Sequence, residues 1–151
     1  MDDPQRLYIS CAMSGEPNFN KDLMNQRAEE LREKGFDVIN PAELDLADDY
    51  PRRWAGYLGR DLDIITRENS ESESGMDIDA IALIAESPWE ESAGVLCELL
   101  AATKYGIPIR DSKTLEPMQF GYDVWAIPAG ADGESAQERM SPERLTMGGD
   151  D

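Results

Sequence analysis

One carboxylate stands out in the sequence because its neighbours along a predicted helix are small and uncharged. Glu98 is the only charged residue between positions 92 and 103. Gly94, Ala101 and Ala102 lie three or four residues away from it, so helical geometry places them on the same face. A carboxylate among such small side chains leaves room for a ligand to approach. The plain alternative is a solvent-facing acid on an amphipathic helix, and spacing by itself leaves both interpretations open.

Three further polar residues could act together with this carboxylate. Ser92 is a good N-cap for the helix, and a helix N-terminus also suits a phosphate group, although capping by itself explains such a serine. Asp61 lies in a second predicted helix over 54–67, where an exposed acid is the plain alternative. Tyr8 lies in a predicted strand over 7–10, where an aromatic side chain more often belongs to the core.

The residue types and motifs that the sequence lacks exclude several classes of catalytic and binding site. The chain has no histidine, which excludes a Ser-His-Asp triad, a histidine general base and a histidine-ligated metal. The two cysteines, Cys11 and Cys97, are too few for a disulfide scaffold or a four-thiolate zinc site, and we interpret them as packing residues. The loop after the first strand lacks both the GxGxxG pattern and the P-loop lysine, so the standard modes of dinucleotide and triphosphate binding are not indicated. The chemistry that remains is that of carboxylates.

Strands alternate with helices along the chain, which predicts a single-domain α/β fold of the Rossmann-like or flavodoxin-like kind, a parallel sheet flanked by helices. The predicted strands cover 7–10, 36–39, 78–85 and 107–109, and the predicted helices cover 20–34, 54–67 and 92–105. In such a sheet, ligands bind beyond the carboxyl ends of the strands. We therefore expect the loops after Ser10 and Ala85 to meet the start of the helix at Ser92. Residues 42–53 are predicted to be irregular, and 68–75 (ENSESESG) to form a solvated acidic loop.

The two ends of the chain carry their own expectations. The sequence predicts a domain over 1–129, with its core at about 7–109, and a disordered acidic tail over 130–151. An edge strand over 120–127 is also predicted. The first residues lack a basic region followed by an apolar run, and no apolar stretch approaches ~18 residues, so we expect a soluble, cytoplasmic protein that does not enter a membrane.

The charge of the chain is strongly one-sided. It has 32 acidic and 14 basic residues, which gives a formal net charge of −18. Binding to a nucleic acid polymer or to an anionic membrane needs clustered lysine and arginine, so neither is an expected partner. Molar salt would screen the self-repulsion, because the Debye length falls to about 3 Å at 1 M. We interpret the excess as the adaptation of a salt-in halophilic archaeon or of its virus, with an ordinary acidic protein as the alternative.

Short segments along the chain resemble the nucleoside 2-deoxyribosyltransferase superfamily, in particular its short prokaryotic and phage branch. The resemblance covers about residues 7–109, and the order and spacing of the segments make it more specific than any one motif. The matching segments are 8–15 (YISCAMSG), 31–35 (LREKG), 37–42 (DVINPA), 57–61 (YLGRD), 79–84 (DAIALI), 92–98 (SAGVLCE) and 101–108 (AATKYGIP).

The resemblance implies a role for each acidic or aromatic candidate. Glu98 would be the nucleophile that attacks the anomeric carbon of a sugar and forms a covalent intermediate, as in retaining glycosidases. Asp61 would help to protonate or orient the leaving base, and Tyr8 would position the nucleophile through a hydrogen bond. Sites of this family often borrow residues from a neighbouring subunit, so a homodimer or a larger homo-oligomer is expected.

The residue six positions before the nucleophile separates substrates within the superfamily. Members that act on free nucleosides have an aspartate there, whereas the 2′-deoxynucleoside 5′-phosphate N-hydrolases have a serine that contacts the phosphate, and here it is Ser92. The resemblance therefore implies cleavage of the N-glycosidic bond of a 2′-deoxynucleoside 5′-monophosphate, with Gly94, Ser14 and Gly15 contributing to the pocket. Transfer of the 2-deoxyribosyl group between bases on free nucleosides is one alternative, and a regulatory nucleotide-binding module without turnover is another.

Two departures from the family pattern bear on the site. Cys11 and Ala12 stand where the family has glycine and proline, which changes the shape of the base pocket. The segment 68–75 lengthens the chain between Asp61 and the third strand. Displacement of Asp61 from the site is therefore an open expectation, with Asp63 as the alternative acid.

The acidic excess makes a testable prediction about salt. We expect far-UV circular dichroism to show more helix and strand in molar KCl than in dilute buffer, because screening removes the self-repulsion of the folded chain. The same spectrum at low and at molar salt would contradict the halophilic interpretation.

Overall fold

Four short parallel strands form the centre of the fold in the computed structural model, which describes residues 4–47 and 54–119. The strands are β1 (Arg6–Ser10), β2 (Asp37–Ile39), β3 (Ala80–Leu83) and β4 (Ile109–Asp111). They are hydrogen-bonded in the order β2-β1-β3-β4, and each neighbouring pair is parallel. The predicted α/β fold with a parallel sheet in a single domain is confirmed.

Helices cover this sheet on both faces. The α-helices of the described residues are α1 (Lys21–Glu33), α2 (Pro41–Ala47), α3 (Trp54–Ile65) and α4 (Ala93–Lys104), and short 3₁₀ turns cover Pro17–Asn20 and Trp89–Glu91. Helix α1 forms because Met24, Ala28 and Leu31 recur at helical spacing on its buried face. It ends before Gly35, whose φ of +97° is a conformation that glycine adopts without strain.

Each face of the sheet has its own hydrophobic core, because successive residues of a strand point to opposite sides. On one face, Tyr8 of β1 packs with Leu83 of β3 and with apolar residues of α3 and α4. On the other face, Leu7 and Ile9 of β1 pack with α1. All residues of β3 are buried, as expected for a parallel strand that is covered on both sides.

The strand order creates a crevice at one edge of the sheet. The chain runs from β1 outward to β2 and then crosses back to β3 and β4 on the other side of β1. The direction of winding therefore reverses between β1 and β3. In open α/β sheets, ligands bind outside the carboxyl ends of the strands at such a reversal.

A buried arginine forms hydrogen bonds with the loops at the carboxyl edge of the sheet. Arg27 of α1 is only 5% exposed, and its guanidinium group donates hydrogen bonds to the side chains of Glu86 and Ser112. Glu86 follows β3 and Ser112 follows β4. This group therefore ties α1 to the carboxyl ends of two strands.

The prediction of an irregular segment over 42–53 is wrong for its first part, because residues 41–47 form helix α2. The side-chain oxygen of Asn40 accepts a hydrogen bond from the Ala42 N–H at 3.0 Å, which is what an N-cap does, and Pro41 suits the first position of a helix. The Asn-Pro pair that ends β2 thus also begins α2. Residues 48–53 lie outside the described residues.

The strand limits also differ from the prediction near prolines and glycines. Strand β4 begins at Ile109, two residues later than predicted, because Pro108 has no N–H to donate to the ladder. The predicted edge strand over 120–127, the tail over 130–151 and the domain limit at 129 lie outside the described residues. None of the described helices is long and apolar enough to cross a membrane.

Candidate active site

A cavity of about 380 Å³ opens beyond the carboxyl ends of β1 and β2. Cys11, which follows β1, and Pro41, which follows β2, lie in its wall, together with parts of α3 and of the first turns of α4. The charged side chains in the wall are Lys21, Asp45, Arg60, Asp61 and Glu98. The cavity therefore lies at the carboxyl edge of the sheet, where open α/β sheets bind ligands, and both acidic and basic side chains line it.

The carboxylate of Glu98 is held on both of its oxygens by hydroxyl groups of the central strand. The Tyr8 hydroxyl donates to Oε2 and the Ser10 hydroxyl donates to Oε1, each at 2.7 Å. Tyr8 and Ser10 are two residues apart on β1, so both point to the face that α4 covers. Glu98 itself is only 7% exposed. The arrangement fixes one carboxylate at the cavity wall in a single orientation.

Burial changes the ionisation of this group. The pKa of Glu98 is raised to about 8, mainly because burial disfavours the charged form and secondly because the carboxylate of Asp61 is close. The hydrogen bonds from Ser10 and Tyr8 and the positive charge of Arg60 act in the opposite direction. Glu98 is therefore a carboxyl group that exchanges its proton near neutral pH, a property that is common at functional sites.

Asp61 is the second buried acid of the cavity, at 8% exposure. The Arg60 guanidinium donates to its Oδ1 through Nε at 2.9 Å and through Nη2 at 2.8 Å. Burial is the largest influence and raises the pKa of Asp61, whereas Arg60 counteracts it. Arg60 Nη2 also lies 2.8 Å from Oδ1 of Asp45 on α2, as an ion pair that lacks the angles of a hydrogen bond.

Ser92 caps α4 at the wall of the same cavity. Its hydroxyl oxygen accepts a hydrogen bond from the Val95 N–H at 3.2 Å, and Gly94 lies beside it. A Cβ atom at Gly94 would lie 3.9 Å from Trp54 Nε1, which is ordinary van der Waals contact, so the wall would also accept a small side chain at this point. Ser14 also lines the cavity, from the loop after β1.

A second cavity of about 400 Å³ adjoins the first and shares Ser14, Ser92, Gly94 and Trp54 with it. Counting only the part of the chain that the structure describes, the remaining wall of this second cavity includes two acids and no lysine or arginine. It is completed by Ala12, Glu16, Pro88, Glu91 and Ala93. The helix N-terminus at Ser92 therefore faces negative side chains as well as free space.

The turn after β1 holds an aromatic side chain at the mouth of the first cavity. The φ values of Asn18, Phe19 and Asn20 are +48°, +55° and +58°, which residues other than glycine rarely adopt. The Asn20 amide donates a hydrogen bond to the Ala12 carbonyl at 2.8 Å and fixes the turn. Phe19 lines the cavity while 55% of it is exposed. Such strain is typical of functional loops.

Of the residues predicted for the site, the structure brings most together and leaves a few outside. Tyr8 and Glu98 are in contact, and Asp61, Ser92, Gly94 and Ser14 line the first cavity. Gly15 lies in the turn next to Ser14, with a φ of +81°, but outside the walls of both cavities. Asp63 is exposed on α3 and takes no part. Of the cysteines, Cys11 is buried in the cavity wall and Cys97 is half-buried away from it.

The segment that lengthens the chain after α3 leaves Asp61 in place. Glu68 pairs with Met76 in an isolated antiparallel bridge, and the Ser72 hydroxyl donates to the Met76 carbonyl at 2.7 Å. The segment therefore closes on itself as a compact loop. The expected displacement of Asp61 does not occur.

The sequence reasoning missed Ser10, Arg60 and Asp45, which contact the two buried acids directly or through a shared ion pair. Ser10 could have been found from the period of two along β1, which places it on the same face as Tyr8. Arg60 adjoins Asp61 in sequence, but its partner Asp45 lies in the segment that was predicted to be irregular. The small residues Ala101 and Ala102 pack with the core instead of opening space beside Glu98.

One family model matches the part of the chain that contains the whole site. A family model described as a domain of unknown function, DUF4406, matches residues 5–111, which is more than half of the chain. The chain belongs to the DUF4406 family. Comparisons with curated proteins and with solved structures find no match. The match to DUF4406 spans all four strands and contains every residue of the carboxylate site described above.

The DUF4406 domain thus presents two buried carboxyl groups, one beside hydroxyl groups and one beside a guanidinium group, at a cavity large enough for a small molecule. Among the described residues, no group of three or more potential metal ligands is clustered as a metal site would require. The arrangement suits nucleophilic attack by one carboxylate and proton handling by the pair.

The raised pKa of Glu98 makes stability depend on pH. A carboxyl group whose pKa rises on folding holds its proton preferentially in the folded state. Its contribution is fully present below the ordinary value of 4.5 and is lost as the pH rises through about 8. We therefore expect the free energy of unfolding of the wild type to fall relative to that of Glu98→Gln between pH 5 and pH 8. Urea unfolding in constant salt measures both, and parallel curves would contradict the assignment.

Proposed function

We propose that this protein is an N-glycosidase that cleaves the N-glycosidic bond of a 2′-deoxynucleoside 5′-monophosphate, with Glu98 as the nucleophile. The observation that carries the proposal is the Glu98 carboxylate, buried at the cavity wall and held on both oxygens by the Tyr8 and Ser10 hydroxyl groups. A second buried acid, Asp61, lines the same cavity. The resemblance to the nucleoside 2-deoxyribosyltransferase superfamily assigns these roles to Glu98, Asp61 and Tyr8.

The reaction would proceed through a covalent sugar intermediate. A Glu98 oxygen forms a bond to the anomeric carbon while the C–N bond to the base breaks, and the base leaves with the electron pair and takes up a proton. Water then attacks the same carbon and releases Glu98. The two hydroxyl donors keep the carboxylate aligned during both steps, which favours a reaction that depends on orientation.

The preference for a phosphorylated substrate is supported by Ser92 and the end of α4. The first N–H groups of a helix have no acceptor within the helix and attract anions. A hydroxyl group at this position accommodates a phosphate, whereas an aspartate would repel it. Lys21 and Arg60 line the same cavity, where Asp45 and Asp61 pair with them. No metal and no organic cofactor is part of the proposal.

Free 2′-deoxynucleosides are the second candidate substrates, with transfer of the sugar to another base in place of hydrolysis. The observation that favours them is the pair of acids, Glu16 and Glu91, in the wall of the second cavity beside Ser92. Negative side chains there disfavour a phosphate and suit a neutral 5′-hydroxyl group. Product analysis with and without an acceptor base separates transfer from hydrolysis.

A nucleotide-binding module without turnover is the alternative outside enzymes. It would use the same cavity, but it would not need a carboxyl group that exchanges its proton near neutral pH. The proposal also includes a homodimer or larger assembly in the cytoplasm, as the resemblance to the superfamily implies.

Substitution of Glu98 tests the proposed chemistry. We expect wild-type protein in molar salt to release free base from at least one 2′-deoxynucleoside 5′-monophosphate, and Glu98→Gln to lower kcat by roughly a thousandfold or more because the nucleophile is lost. Chromatography of the products measures the rate. The matched control is Glu29→Gln, which removes an exposed acid on α1. A full rate in Glu98→Gln would refute the assignment, and nucleotide binding by a wild type without base release would favour the module.

Substitution of Ser92 tests the phosphate preference. Aspartate and asparagine cap helices about as well as serine, so Ser92→Asp and Ser92→Asn differ in charge with little cost to α4. We expect Ser92→Asp to lower the ratio of kcat/KM for nucleotide over nucleoside by about tenfold or more, because the added carboxylate repels the phosphate. Ser92→Asn should leave the ratio near that of the wild type. Equal ratios in the two variants would contradict the proposal that position 92 lies next to the phosphate of the substrate.

A further inference from the structure

A row of alternating charges runs along the cavity wall and ends at Asp61. Lys21 Nζ lies 4.0 Å from Asp45 Oδ2, Asp45 Oδ1 lies 2.8 Å from Arg60 Nη2, and Arg60 donates twice to Asp61 Oδ1. Within residues 4–47 and 54–119, the row thus contains two positive and two negative groups. Ionised Glu98 would be a further charge next to this row, and its hydrogen-bond partners among the described residues are the neutral hydroxyl groups of Tyr8 and Ser10.

The two buried carboxyl groups differ in what they contact. Both oxygens of Glu98 face neutral hydroxyl groups, whereas Asp61 faces a guanidinium group that is itself only 14% exposed. The Arg60 guanidinium also lies 5.4 Å from the centre of the Tyr57 ring, within the range of a cation–π contact. A cation held in this way stabilises the charged form of the acid it contacts far more than a hydroxyl group does.

We propose that Arg60 is a positioning residue of the candidate active site: it fixes Asp61 in its ionised form at the end of the charge row, so that Glu98 is the carboxyl group that holds the exchangeable proton in the resting protein. This inference rests on the proposed function for its role in catalysis, although the charge assignment itself does not.

The assignment closes the proton balance of the proposed reaction. Glu98 loses one proton and forms the bond to the anomeric carbon, and the base gains one proton as the C–N bond breaks. In the second step, water supplies a hydroxyl group to the sugar and returns a proton to Glu98 as the ester bond breaks. Asp61 is a carboxylate at rest, takes the proton from Glu98 and passes it to the base on the other face of the sugar, and is a carboxylate again when the step is complete, so no outside acid is required.

The groups that face Asp61 determine how its titration will respond to substitution. They are Arg60 on the same helix, Asp45 on α2, Tyr8 on β1 and Glu98 on α4. Arg60 favours the ionised form of Asp61, as does the Tyr8 hydroxyl, whereas Asp45 and Glu98 disfavour it. Removal of the guanidinium group and removal of the Asp45 charge should therefore shift Asp61 in opposite directions.

Carboxyl ¹³C NMR of protein labelled at aspartate and glutamate tests the charge assignment without any substrate. Spectra of Asp61→Asn and Glu98→Gln identify the two resonances. We expect Asp61 to be ionised at a pH where Glu98 still carries its proton. Arg60→Met should raise the titration midpoint of Asp61 by about one to three pH units, because the nearby opposite charge is lost. Arg67→Met, which removes an exposed arginine just after α3, is the matched control and should change neither midpoint.

A second variant covers the case in which Arg60→Met does not fold. Asp45→Asn keeps the guanidinium group and should lower the midpoint of Asp61, since one repelling charge is removed. The inference would be overturned if Asp61 took up its proton at a higher pH than Glu98 in the wild type. It would also be overturned if the titration midpoint of Asp61 were unchanged in folded Arg60→Met or in Asp45→Asn.

Kinetics test the role in catalysis. We expect the alkaline limb of kcat/KM to move to higher pH in Arg60→Met, because the proton of the pair is held more tightly, and kcat to fall at least tenfold. Arg60→Lys retains the positive charge but lacks the two parallel N–H donors of the guanidinium group. The alkaline limb of kcat/KM in this variant should therefore stay near that of the wild type, while kcat falls and KM changes little. A lower kcat in Arg60→Met with an unmoved limb would indicate a merely structural role. Absence of base release in every variant, with the expected titration order, would contradict the proposed function and leave the charge assignment standing.

Discussion

The hydrogen bonds between the central strand and Glu98 are the interaction on which this site depends. A carboxyl group that is removed from water destabilises a fold unless its oxygens are satisfied, and here Tyr8 and Ser10 satisfy one oxygen each. The two donors belong to the strand at the centre of the sheet, whose neighbours on both sides hold it in place. The position of the carboxylate is therefore determined by the most constrained part of the molecule.

Neutral donors have a further consequence for the chemistry. Hydroxyl groups orient a carboxylate without stabilising its charge as strongly as a cation would, so the group remains basic and reactive. The cations of the cavity instead contact Asp45 on α2 and Asp61 on α3. This division separates orientation from neutralisation, and it gives two acids in one cavity different properties, which is the usual basis of paired acid–base roles.

Much of the fold could be predicted because its signals are local. Helix α1 and helix α4 show apolar residues at helical spacing, β3 is a continuous apolar run, and the alternation of elements specifies a parallel sheet. Glu98 could be singled out because its surroundings in sequence are uncharged. The reason offered for it was partly wrong, since Ala101 and Ala102 belong to the core and only Gly94 borders the cavity.

What could not be predicted depends on contacts between distant parts of the chain. The ion pair of Arg60 with Asp45 requires α2, and the Asn-Pro pair that begins α2 is equally typical of the end of a strand. Ser10 is a small residue that acquires its role only once α4 covers that face of the sheet. The burial of Asp61 and Glu98 likewise arises from packing between α3, α4 and β1, which helical spacing by itself does not specify.

The alternation of side chains along β1 links the site to the integrity of the whole domain. Leu7 and Ile9 face one core, whereas Tyr8 and Ser10 face the other side and hold the carboxylate. A shift of this strand by one residue would place aliphatic groups against Glu98 and a tyrosine against α1, and it would destroy the core and the site together. A chain that assembles in the wrong register therefore cannot survive as a stable but inactive protein. A single-residue insertion or deletion within β1 would therefore cost the protein its stability as well as its carboxylate site.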